Sequence, residues 1–466
     1  MVQISDATRQ FISDHRTEDT RKLALQTSRF PDVDMPFALD QIAGWQAART
    51  KLPSWAATDG IIYPPHLSME QCSSELTARY KGDPTPSLPR GGSSKRPNDD
   101  PTSSLPRGGS SKRPNTRFVD LTGGFGVDFY WMSQGFQERI YVEQNAQLCA
   151  ISSNNFKRLG LEATVVNADA VEYLRTMPPA DVVYLDPARR DAHGGRTYSI
   201  ADCTPNILEI RDLLTAKAQI VVIKLSPMLD WRKAVQDLGE GFVQEIHIVS
   251  VDNECKELVV VQGGQGVQGV QGVQGGQGVQ GGQGVQGGVK MVCVNLFSKG
   301  GAERFEVLQP STLNPQPSTL NPQPSTLIPQ PSTLNLSLPS QGRLGGVFFL
   351  YEPNASIMKA GCFDEIAAYY RVSPLARNSH LFVSDTLCNS FPGRRFEIVG
   401  ISSMNKKELR KALAGMEQAN ITVRNFPLTV AELRKRLKLK DGGDVYLFAT
   451  TLAQGEHVLI IAKKTA

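Results

Sequence analysis

A chain of 466 residues has room for two or three domains, each with its own core, and is too long to be one small module. Its 50 Lys and Arg against 46 Asp and Glu leave a formal net charge of +4, so composition forces no strongly basic surface, and nucleic-acid contact would need local patches. No run of about 18 apolar residues occurs, which argues against a membrane-spanning helix, and the seven scattered cysteines contain no CxxC pair, which fits reduced thiols and offers no metal signature.

The opening stretch MVQISDATRQFISDHRTEDTRKLAL is charged and polar from its first residues, with no basic-then-apolar leader, so the expected location is cytoplasmic. Residues 1–82 read as a helical N-terminal region. DATRQFISDH and RKLALQTSRF have helical spacing, PFALDQIAGWQAARTKL begins with a Pro suited to a first turn, and MEQCSSELTARYK closes the region. Residues 83–116 form a low-complexity insertion in which SLPRGGSSKRPN occurs twice, from Ser87 and from Ser104.

Over residues 117–261 apolar runs alternate with amphipathic ones. RFVDL, RIYVE, ATVVNAD, ADVVYLD, QIVVIKL and QEIHIVSV read as strands, and QNAQLCAISSNNFKRLG, AVEYLRTM, IADCTPNILEIRDLL and DWRKAVQDLG as the helices between them. That alternation predicts an α/β domain, a parallel Rossmann-like sheet wound on both faces. Residues 262–288 are almost only Val, Gln and Gly, 289–308 read as a short ordered segment, and 309–342 repeat QPSTLNP. Each repeat has too little apolar surface to offset its ordering entropy. Residues 343–466 resume a globular pattern: strands FEIVGI, ITVRNF, DVYLFAT and HVLIIAKK with helices KKELRKALAGM and TVAELRKRLKL make a compact α+β module.

In a doubly wound sheet the ligand lies beyond the carboxyl ends of the strands, nearest the loop after the first one. Gly123, Gly124 and Gly126 fall on that loop, but the third place of a dinucleotide fingerprint is Phe129 and no GK[ST] follows. Asp120, Glu143, Asp169 and Asp186 close or follow four successive strands and so converge on one edge. Acids there suit a ligand with an amine, a ribose diol and an adenine amine but no phosphate, which points to S-adenosylmethionine. Glu143 would accept from the ribose hydroxyls, Asp169 from the adenine amine, and the glycine loop would admit the methionine end.

With DLTGGFG, VEQN, NADA and YLDPARR in this order, the chain resembles the class I S-adenosylmethionine-dependent methyltransferases over roughly Arg117 to Val261. The resemblance implies an acceptor subsite at Asp186 and Pro187. Enzymes that methylate an exocyclic base amine carry [DN]PP[YFW] there, and this chain has Ala188 and Arg189 in place of the second Pro and the aromatic. Methylation at a base carbon would instead need a cysteine nucleophile, for which Cys203 and Cys255 are the nearest candidates. Arg189, Arg190 and Arg196 could hold RNA phosphates. Lys224, after five apolar residues in IVVIKLSP, is expected to contact an acid or the substrate.

The outer parts, with YEPNASIMKAG and NITVRNFPLTVAELRKRLKLKDGGDVYLFAT, resemble a bacterial methyltransferase family bearing a C-terminal THUMP-like domain. That resemblance implies an RNA substrate, tRNA or rRNA, and ELRKRLKLK offers a basic helix to it. The family pattern has no counterpart for the three repeats. Two other readings stay open: a small-molecule or protein methyltransferase, and a noncatalytic RNA-binding protein with a degenerate methyltransferase fold.

Overall fold

The computed structural model describes residues 4–82, 116–189, 200–239, 241–263, 288–309, 347–376 and 378–465. Residues 83–115, 264–287 and 310–346, which hold all but the ends of the three repeats, lie outside the described residues, as do Arg190 and Arg196, and the second repeat begins within β-structure at 262–263. No helix among the described residues is long and apolar enough to cross a membrane.

The N-terminal region is helical as expected: α1 Asp6–His15, α2 Thr20–Ala24, α3 Met35–Lys51, α4 Pro53–Ala56, α5 His66–Gln71 and α6 Glu75–Gly82. Pro36 falls in the first turn of α3, where its missing N–H costs nothing. The stretch MEQCSSELTARYK spans two helices, with a break between Gln71 and Glu75.

A nine-stranded sheet follows: β1 Arg117–Asp120, β2 Glu138–Glu143, β3 Thr164–Asn167, β4 Ala180–Leu185, β5 Ala218–Leu225, β6 Glu245–Val251, β7 Glu254–Gly263, β8 Val289–Leu296 and β9 Ala302–Gln309. In space the order is β3-β2-β1-β4-β5-β7-β6-β8-β9. β1 to β5 pair in parallel, and β7 runs antiparallel to both of its neighbours. The central strands are buried on both faces, which is why QIVVIKL is a continuous apolar run and not an alternating one. Val119, Val183, Val221 and Ile223 line one face; Phe118, Tyr141, Val182 and Tyr184 line the other.

Residues 289–308, read as a short ordered segment, add two strands to this sheet, where β8 pairs in parallel with β6 and β9 closes the edge. One expectation needs correction: the stretch IADCTPNILEIRDLL is not one helix. Cys203–Thr204 pairs with Ala188–Arg189, Pro205 brings no N–H to a helical ladder, and the helix starts at Ile207 with Asn206 as its cap. The connecting helices α7 Val127–Met132, α8 Ala146–Arg158, α9 Ala170–Thr176, α10 Ile207–Lys217 and α11 Trp231–Leu238 pack on the two faces.

The last part forms a seven-stranded sheet from β10 Phe348–Pro353, β11 Ser373–Pro374, β12 Phe382–Ser384, β13 Gly393–Ser403, β14 Asn420–Arg424, β15 Val445–Thr451 and β16 His457–Lys464, in the order β11-β12-β10-β13-β16-β15-β14. Ile357 and Ala360, from α12 Ala355–Ala360, join the core of the first sheet, and the Trp231 indole N–H donates to the Ala360 carbonyl at 3.1 Å.

Candidate functional site

The loop after β1 is held by three glycines with different duties. A Cβ at Gly123 would come within 2.2 Å of the Tyr141 ring, and one at Gly126, where φ is +82°, within 2.6 Å of the Phe156 ring. Both are therefore dictated by packing. Gly124, at φ +55°, would meet only the Thr122 carbonyl at 3.8 Å, so it is the position whose missing side chain leaves open space, while its carbonyl accepts from the Tyr141 hydroxyl. The N-terminal helices grip the same loop, since Trp55 packs edge-on against Phe125 with ring centroids 4.9 Å apart.

The four expected acids do reach one edge, each held differently. Glu143 accepts the Gly124 N–H at 2.9 Å and the Asn145 N–H at 2.8 Å, one on each oxygen. Asp169 is exposed and caps α9, its Oδ1 accepting from Val171 at 2.8 Å and Glu172 at 3.0 Å. Asp120 is only 1% exposed, which places its carboxyl behind the loop and not in the open site as expected from sequence. It accepts the Thr122 N–H at 2.9 Å, and the Thr122 hydroxyl accepts from the Asp186 N–H at 2.6 Å. Burial pushes Asp120 well above the usual carboxylate range, and the charges of Asp128, Asp186 and Glu143 add to the rise against the Thr122 N–H.

Asp186 begins a chain of alternating charge that runs into the protein. Its Oδ2 pairs with Lys224 at 2.5 Å, so of the two partners foreseen for this lysine it has taken the acid. Lys224 stands 3.7 Å from Asp128 Oδ2, Asp128 Oδ1 stands 3.1 Å from Lys81, and Lys81 reaches both oxygens of Glu257 at 2.7 Å. Ser73 and Tyr184 each donate to Asp128 Oδ2 at 2.7 Å. Burial pushes the Asp128 carboxyl up, but Lys81 first and Lys224 next outweigh this and hold it down to about 2. Burial also lowers the proton affinity of Lys224, yet Asp186 and Asp128 raise it above that of a free lysine. Glu257, deepest in the chain, is raised by burial in spite of Lys81.

Lys81 and Asp128 were not among the sequence candidates, and Glu257 stood out only as part of a charged knot with Glu254 and Lys256 in NECKELVVV. The available signal was charge at positions flanked by apolar residues, as in VDFYW and KELVVV. Pro187 is buried beside Asp186, and the backbone of Arg189 pairs with Cys203. Cys255 is a poor nucleophile, because burial pushes its thiol up to about 11. On the basic helix α13 Val430–Leu437, Arg434 binds the Ala419 carbonyl at 3.1 Å and Asp441 at 2.5 Å, and Arg436 binds the Met404 carbonyl at 3.3 Å.

The donor set fits S-adenosylmethionine. The Glu143 carboxylate takes the Gly124 N–H, where a phosphate would be repelled, and Phe129, at the third fingerprint place, is fully buried. This sheet order, with an antiparallel seventh strand between the fifth and sixth, is the Rossmann-like fold of the class I S-adenosylmethionine-dependent methyltransferases. Residues 393–464 match the family model described as THUMP domain-like, and residues 349–392 that of a ferredoxin-like domain, so the THUMP-like part is narrower than the C-terminal block read from sequence.

In full length the chain is similar to the crystal structure of a candidate methyltransferase from Porphyromonas gingivalis W83, at 27% identity and TM-score 0.73, with 100% of each chain covered. A SAM-dependent methyltransferase from Agrobacterium tumefaciens aligns at 18% identity over 32% of this chain and 56% of its own, with TM-score 0.25. An rRNA methylase from Streptococcus thermophilus aligns at 13% identity over 32% of this chain and 86% of its own, also with TM-score 0.25. No curated protein matches the chain.

Proposed function

We propose that the chain is an S-adenosylmethionine-dependent methyltransferase acting on a base of structured RNA, tRNA or rRNA, in the cytoplasm. The observation that carries this reading is the acid-flanked Gly124 at the carboxyl edge of a methyltransferase sheet, in one chain with a THUMP-like domain. Glu143 would hold the ribose hydroxyls, Asp169 the adenine amine, and the Gly123–Gly126 loop the methionine end, with Asp120 shaping that loop from behind. The bound cofactor supplies an electrophilic methyl group.

On the acceptor side, Asp186 and Pro187 orient the incoming group. Lys224 occupies Asp186 Oδ2, which leaves Oδ1 to accept a hydrogen bond, so the favoured acceptor is an N–H donor such as a base amine. Alignment of that donor is the enzyme's main contribution to an in-line displacement. Arg189 and Arg190 would engage the RNA backbone, and Lys224 acts on the substrate through Asp186.

One observation favours a smaller acceptor: Arg434 and Arg436 are engaged within their own domain and so offer RNA less free charge. Calorimetric titration with S-adenosylhomocysteine, wild type against Asp169→Asn, tests the cofactor site, because Asn keeps the cap on α9 and removes the carboxylate. Binding that weakens in the variant supports the site, and folded wild type that binds nothing overturns it. Labelled-methyl transfer to in vitro transcribed tRNA and rRNA then decides between RNA and a smaller acceptor.

A further inference from the structure

Lys81 belongs to the N-terminal region, yet its side chain is 1% exposed and lies in the charge chain that ends at the acceptor edge. Its ammonium is fully engaged, by both oxygens of Glu257, by Asp128 Oδ1 and by the Ser73 hydroxyl at 3.1 Å. Asp128 is wedged between two cations, 3.1 Å from Lys81 and 3.7 Å from Lys224, while Lys224 stands closer to Asp186, at 2.5 Å.

We propose that Lys81 is a positioning residue of the acceptor site: by compensating Asp128, it leaves Lys224 to Asp186 and so fixes which Asp186 oxygen faces the substrate. The inference rests on the methyltransferase reading and adds to it a residue from outside the catalytic sheet. The physical reason is competition for a cation. Asp128 is 8% exposed, and a carboxylate at that depth needs a counter-charge. Without Lys81 the remaining candidate in reach is Lys224, which would move toward Asp128 and release Asp186 Oδ2. Asp186, with 37% of its side chain exposed, can turn to water, so the pair at the site edge is the one that gives way. Lys224 also feels Glu257, so a Lys81 that merely neutralised Glu257 would leave Asp186 unaffected only when Glu257 is neutralised with it, which is the comparison the double variant makes.

The test uses the full chain, labelled with a water-soluble carbodiimide and glycine ethyl ester, with Asp186 modification measured by peptide mass spectrometry. Lys81→Met is expected to raise Asp186 labelling about threefold or more as its ion pair is lost. Should that variant fail to fold, the double variant Lys81→Gln with Glu257→Gln removes one charge of each sign and is expected to raise labelling equally. Unchanged labelling in either folded variant overturns the proposal. In methyl transfer to in vitro transcribed tRNA and rRNA, kcat is expected to fall about tenfold with KM and S-adenosylhomocysteine affinity within about twofold; raised labelling with unchanged kcat overturns the positioning role. Wild type that binds no S-adenosylhomocysteine sinks the methyltransferase reading instead, and the labelling result still decides whether Lys81 holds the pair.

Discussion

Asn155 on α8 clasps Ile62 of the N-terminal region on both sides, its Oδ1 accepting the Ile62 N–H at 2.9 Å and its Nδ2 donating to the Ile62 carbonyl at 2.8 Å. Both bonds are buried, so a side chain here serves as a strand partner would. Asn155→Ala should strand both backbone groups and cost about 3 kcal/mol, read as a lower urea midpoint. Limited proteolysis should show the N-terminal helices cleaved earlier than in wild type.

The two positive-φ glycines of the first loop should separate stability from binding. Gly126→Ala drives a Cβ into the Phe156 ring and is expected to cost about 3 kcal/mol of stability. Gly124→Ala meets open space, so it should cost only about 1 kcal/mol of backbone strain. Its effect should appear in calorimetry as S-adenosylhomocysteine affinity lowered by about tenfold.

His247 is 1% exposed between the Tyr80 hydroxyl, 2.5 Å from Nδ1, and Glu245, 3.2 Å from Nε2. Burial holds its pKa below the ordinary value, against Glu245 and with help from Arg304 and Lys290. The unfolded chain therefore binds a proton that the folded one refuses, and stability should fall as pH drops below about 6.5. Urea midpoints between pH 7.5 and 5 should show this slope, with His247→Gln flattening it.

Cys255, a nucleophile candidate by strand order, should prove dispensable. With Cys255 pushed up to about 11, it should resist alkylation at pH 8, and Cys255→Ser should keep methyl transfer at the wild-type rate. A lost activity or a covalent adduct at this cysteine would favour carbon methylation over transfer to an amine.

The edge of acids was legible because strand ends follow from apolar runs such as ADVVYLD, and parallel strands must bring their carboxyl ends together. The buried charges were not legible as a group. Lys81 ends a helix just before a repeat, where a cation ordinarily faces water, and only the fold carries it onto α7 and β7. Glu257 sits in NECKELVVV, whose other charges behave as a surface pair, Lys256 and Glu254 lying 2.7 Å apart. Strand alternation turns residue 257 to the opposite face from 256, and that parity was the available clue. β8 and β9 escaped the sheet assignment because a Val/Gln/Gly tract separates them from β7, and pairing across such a gap has no local signature.

Thr116 enters β1, Gly263 leaves β7, Val289 enters β8 opposite Gln309 as that residue leaves β9, and all of these points lie on the edge of the sheet away from Glu143 and Asp186. The sheet is thus polarised: these strand ends lie on one rim and the proposed site on the other. That makes residues 264–287 the natural place to splice in an affinity handle or a fluorescent reporter, since the strand ends on either side of them, Gly263 and Val289, face away from the proposed site.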